Sequence, residues 1–257
     1  MGRKDPIGDK YFKPLVNTEK ISGWVFWSCA ALSIAALFVT TQPWKEITQT
    51  IFVILVIGNF IGGLAAKLWL SPRAEDQRRL DLLSNSFSVK LTHENAVGYF
   101  NNSEANPIQK LVLSTMESCF FTKSILSKML PWERAKIGLY FVVWIACAVS
   151  RTADLSWIIV ATQAIFSEEI IVKWLRMEWL RYKSEKIYKQ IRNLVSTVEV
   201  FDNSICHAQA LENFAEYETA KSRASVTLSE KIFFRLNPSL SAEWEDIKNS
   251  LKSDTPH

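Results

Sequence analysis

The residues best suited to chemistry in this chain are few and scattered. Its three histidines are His93, His207 and His257, and none has a second histidine or cysteine three or four positions away. That spacing is what puts two ligands on one helical face. Cys206 precedes His207 directly, and adjacent helical residues point to different sides, so no metal site is expected. The four cysteines, at 29, 119, 147 and 206, have no short paired spacing. They suit neither a zinc ribbon nor a disulfide scaffold, and a reducing compartment is the better expectation. There is no P-loop, G-x-G-x-x-G, G-x-S-x-G or H-E-x-x-H pattern, so neither an enzyme nor a bound cofactor is expected.

The polar residues that stand out lie within or beside apolar runs. Gly58 and Gly62 form a G-x-x-x-G pattern around Asn59. Small residues let helices approach closely and a buried amide bonds across the contact, although glycine is also tolerated in spans without one. Glu168 and Glu169 follow a short apolar run that contains Gln163. Carboxylates at membrane depth are costly unless they face water or a cation. A ring of them in a homo-oligomer lines a cation pathway; the alternative puts both at head-group level, paired with Lys136 or Lys173.

The elements that carry these residues follow from where charge is missing. The chain has 257 residues, 48% hydrophobic and 22% charged, with 8 Gly and 8 Pro, which excludes a disordered or low-complexity chain. Its net charge of +4 is small, and DNA is not expected as a partner. From Ile21 to Trp44 no side chain is charged, and Ile47–Ala66 is a second uncharged run after a turn holding Pro43 and Lys45. Each supplies the ~20 residues that cross a hydrocarbon core. A cleaved signal peptide fits poorly, because twenty mostly polar residues precede the first run and the second follows at once. Ile137–Ser150 and Leu155–Ser167 are shorter uncharged runs flanking Arg151 and Asp154. They form a second hairpin if the helices extend past Trp132, Arg134 and Lys136 on one side and through Glu168–Val172 on the other; a buried or re-entrant pair is the alternative. Basic residues cluster before the first run, after the second and after the fourth, while the hairpin turns hold Lys45 and Arg151. By the positive-inside bias both termini and the central segment face the cytoplasm.

The expected architecture is an all-α integral membrane protein: a cytoplasmic segment over 1–20, transmembrane hairpins over 21–70 and 132–174, a helical insert over 71–131 and a helical tail over 175–257. In the insert, Ser71–Pro72 reads as a helix start, as does Asn106–Pro107, with Ile108, Leu111, Val112, Met116, Cys119 and Phe120 on one face until Pro131 stops the pattern. Lys110, Lys123 and Lys128 lie away from most of that face. Past the fourth run, over thirty residues without Gly or Pro read as one long helix. Its cations Arg176, Arg181, Lys183, Lys186, Lys189 and Arg192 meet anionic lipid, nucleotide phosphates or only solvent. Thr227 and Glu230 have capping-box spacing, and Asn237–Pro238 repeats the start signal.

The stretches AEDQRRLDLLSNSF, GYFNNSEANPIQKL and STMESCFFTKSIL, together with the tail, resemble the SMODS-associated four-transmembrane effector family of bacterial anti-phage systems. Gln77–Asp81 and Glu117–Thr122 look like that family's recurring patches. The resemblance implies a multi-pass effector of the bacterial inner membrane, held inactive until a cyclic nucleotide second messenger binds its cytoplasmic helices. Binding then reorganises the spans, permeabilises the membrane and stops growth. It further implies Arg78, Arg79, Lys90, Lys110 and Lys123 as phosphate ligands and Tyr99 and Phe100 as base-stacking partners. A membrane-anchored interaction module and a small constitutive ion channel are the rival expectations.

Overall fold

The computed structural model describes residues 5–38, 41–93, 104–149, 171–197, 201 and 203–253. Every regular element among them is helical. The chain divides into two compact units, Met1–Asp81 with Leu91–Tyr99, and Leu82–Lys90 with Phe100–His257. The run Leu155–Ser167 and the residues Gln163, Glu168, Glu169, Tyr99, Phe100 and His257 lie outside the described residues.

In the first unit a π-helical turn, Gly8–Phe12, leads into α1 (Lys13–Phe38). The Asp5 carboxylate accepts the Gly8 N–H at 3.0 Å, and Ile7 and Leu15 are buried, so this polar segment is folded onto the protein. Helix α2 (Gln42–Ala65) packs along α1 and carries Pro43 in its first turn, where a missing N–H costs nothing. Between the two helices Ser22 Oγ donates to Asn59 Oδ1 at 2.7 Å.

Ser71 and Pro72 do not start a new helix. The segment α2, a π turn over Ala66–Leu70 and α3 (Ser71–Phe87) form one helix, Gln42–Phe87. Pro72 has no N–H to give the carbonyl four residues back. The π turn takes up that mismatch, with the Ser71 N–H bonding to Ala66 O. This is the one helix among the described residues long and apolar enough to cross a membrane, and almost none of its apolar stretch is buried inside the protein.

The second unit is built on α4 (Pro107–Val149), α5 (Lys173–Thr197), α6 (Ser204–Ala224) and α7 (Glu230–Ser253). Helices α4, α5 and α6 pack on one another, and α7 lies against α4. Asn106 caps α4 through Oδ1, which accepts from Ile108 N at 2.9 Å and Gln109 N at 3.2 Å. Leu111, Val112, Met116, Cys119 and Phe120 are buried at the spacing of one helical face. Asn106→Ala is expected to lower stability by about 1 kcal/mol in urea unfolding, and Asn106→Asp to keep most of it.

Two further expected helix boundaries are corrected. Pro131 lies inside α4 and Pro238 inside α7. Pro131 and Ser127, whose carbonyl loses its amide donor, both lie on an exposed side rather than in the core, and the helix continues through them. Pro238 is likewise exposed. Helix α7 begins one residue after Ser229, which receives Ile232 N on Oγ at 3.4 Å and Phe233 N on its carbonyl at 2.9 Å; Thr227 is not its cap.

Candidate functional site

Arg78 and Arg79 belong to the first unit, Lys90, Lys110 and Lys123 to the second. Arg78 is held inside the protein. Its Nη2 donates to Asp5 Oδ2 at 2.7 Å, Nη1 lies 3.9 Å from Asp81 Oδ2, and the guanidinium sits 5.5 Å from the Phe12 ring centre. Arg79 bonds Asp76 at 2.8 Å on the surface. Lys90 is exposed. Lys110 and Lys123 are 13 residues apart on α4, which is about 20 Å along the axis, too far for one phosphate. Within the second unit, Lys110 and Lys123 therefore do not share one phosphate.

Lys123 does not lie clear of the aromatic face. Its Nζ is 3.9 Å from the Tyr188 ring centre and 5.5 Å from that of Phe120. Phe120 in turn stacks with Trp244 of α7 at 6.2 Å and 30°. Burial holds the Lys123 ammonium below its ordinary range, outweighing the attraction of Glu185 and Glu243. The unfolded chain therefore binds this proton more tightly, and stability rises with pH as the pH climbs from the folded value towards the ordinary lysine range. Lys123→Met is expected to remove that rise from urea midpoints taken across alkaline pH. The same burial pushes the Cys119 thiol well up and the Cys206 thiol up, which makes both poor nucleophiles.

The family-like patches also have structural occupations. Glu117 and Thr122 are buried, and Thr122 Oγ1 lies 2.9 Å from Tyr217 Oη, which donates to Ser118 O at 3.2 Å. Gln77 accepts from Thr92 at 3.2 Å. Along α5, Lys183 and Lys186 both meet Glu216 of α6, Lys189 meets Glu185, and Arg181 lies between Glu178 and Glu185. Arg134 of α4 and the Trp174 indole both donate to Glu178. Lys136 pairs with Glu133 on its own helix at 2.6 Å. Among the described residues no three His, Cys, Asp or Glu side chains converge on a metal-sized site, and the His207 ring bonds the Phe201 carbonyl at 2.8 Å.

An extended apolar surface also stands out among the described residues. Along α2 and the π turn, Ile47, Ile54, Ile57, Phe60, Ile61 and Leu68 are exposed, bracketed by Trp44 at 64% and Trp69 at 72% exposure. These two indoles are 25 residues apart, roughly 38 Å of helix. Around Gly58, Gly62 and Gly63 an added Cβ meets nothing within 4 Å, so these glycines make no close helix contact among the described residues. The far end of α4 repeats the pattern, with Leu139, Val142, Ile145 and Val149 exposed beyond Trp132.

Among the described residues the regular structure is all helical, with one helix long and apolar enough to cross a membrane. No protein-family model, curated protein or solved structure matches the chain.

Proposed function

We propose that the chain is a multi-pass effector of the bacterial inner membrane. In this reading α1 and α2 form one transmembrane hairpin, the end of α4 begins a second, and both termini and the second unit are cytoplasmic. A cyclic nucleotide second messenger binds the helical unit and switches a homo-oligomer of spans from closed to permeable. The observation that carries the membrane part is the Trp44-to-Trp69 stretch. Its outward apolar side chains are exposed, and it is long enough to cross a ~30 Å hydrocarbon core with an aromatic residue at each interface.

Coupling of the two regions is supported by α4. Its first half, to Leu130, is core of the helical unit, and the same uninterrupted helix continues past the exposed Leu139, Val142, Ile145 and Val149. A rearrangement around Phe120 is thus carried along a rigid rod to the apolar end. Full switching needs a ligand that favours one state by several kcal/mol. A membrane-anchored interaction module is favoured by a different observation: Arg78 is already engaged inside the chain and Lys123 is packed over aromatic rings.

Dye-loaded liposomes separate the readings. The effector releases dye only when the matching cyclic oligonucleotide of a panel is added, a constitutive channel leaks without it, and an anchored module does neither. The membrane placement has its own mutational test. Ile54→Lys at an exposed position is nearly neutral on a water-facing helix, but in the bilayer it disfavours insertion by about 2.5–3.5 kcal/mol. Membrane-fraction yield is expected to fall sharply.

A further inference from the structure

The π turn Gly8–Phe12 folds a polar segment against the start of α3 and brings together residues far apart in sequence. Arg73 Cζ and Lys10 Nζ each lie 5.5 Å from the centre of the same Tyr11 ring. Both cations are exposed, and Arg73 has no carboxylate partner among the described residues. Arg73 follows Trp69 by one helical turn, and Trp69 and Leu68 are exposed apolar residues. Lys67 is exposed beside them. Helix α1 passes the same π turn, Ala66–Leu70, and changes over in the same way, from exposed Lys20 to exposed Trp24 within one turn. Two helices therefore agree on where apolar surface gives way to charge. The ring with its two cations lies just on the polar side of that level.

We propose that Lys10 and Arg73, at the rim of Tyr11, bind the phosphate of an anionic phospholipid headgroup, with Trp69 and Leu68 against the upper acyl chain. The guanidinium supplies a planar donor fork for phosphate oxygens, the ammonium a second charge, and the ring holds both in place. This rests on the membrane placement proposed above. It makes the N-terminal segment a lipid sensor attached to the helix that continues from α2.

The test uses the full chain in nanodiscs of phosphatidylcholine containing a minor fraction of phosphatidylglycerol, with native mass spectrometry of the lipids that stay bound after extraction. Phosphatidylglycerol is expected to be enriched over the bulk. Lys10→Gln and Arg73→Gln are each expected to reduce its affinity about fivefold. Arg73→Lys retains most of the enrichment, and Lys128→Gln, which removes one charge from an exposed lysine elsewhere, retains all of it. A wild-type chain that fails to float with neutral phosphatidylcholine vesicles overturns the membrane placement itself. Flotation without enrichment, or enrichment lost equally in the control variant, overturns the headgroup site alone. Competition by inorganic phosphate or glycerol phosphate in solution overturns the lipid assignment.

Discussion

Trp244→Ala is expected to destabilise the second unit by about 3–5 kcal/mol, read as a drop of several degrees or more in the Tm of the full chain in detergent. Trp244 is 0% exposed and is the largest side chain α7 buries, stacked on Phe120 and accompanied by Leu240 and Leu251. Helix α7 packs mainly on α4, so the loss falls first on α7. Hydrogen exchange is expected to show α7 unprotected while α5 and α6 stay protected. Trp244→Phe is the informative companion. The buried indole N–H has no acceptor among the described atoms, so the phenyl ring forfeits area but also removes a desolvated donor. Its loss is expected to be well under half that of alanine. Equal losses contradict a packing role for the ring.

Arg78→Met is expected to cost about as much, 3–5 kcal/mol, for an electrostatic reason. Removing the guanidinium leaves the Asp5 and Asp81 carboxylates without their shared cation, and the Asp81 side chain is only 3% exposed. Asp81→Asn added to Arg78→Met removes one of the two charges and is expected to recover part of the loss. Since Asp5 also caps the Gly8–Phe12 turn, limited proteolysis of the single variant is expected to cut early within residues 5–12. No recovery in the double variant contradicts the charge argument.

Much of the helical plan was readable from local signals. The uncharged runs from Ile21 and Ile47 lie in α1 and α2, and Asn106 caps α4. The other proline signals misled. Ser71–Pro72, Pro131 and Asn237–Pro238 look like starts or stops in isolation, yet all lie inside helices. A π turn at Ser71–Pro72 and an exposed position at Pro131 and Pro238 lower the local penalty there. The site was less legible. Charge and type singled out Arg78 and Lys123, but their partners sit on other elements, Asp5 being 73 positions from Arg78. No spacing rule reports such a pair. The Lys10–Tyr11–Arg73 group was missed for the same reason, since only the π turn brings Tyr11 to α3.

The central claim is that α1 and α2 cross the inner membrane and leave the helical unit in the cytoplasm. Single cysteines placed at Gln42 and Gln209, with the four native cysteines replaced, test it in intact cells with a membrane-impermeant maleimide. Both positions are exposed in the structure, so access depends on topology alone. The account predicts that Gln42→Cys is labelled in intact cells and Gln209→Cys only after lysis. Labelling of Gln209→Cys in intact cells, or recovery of the chain in the soluble fraction, contradicts it.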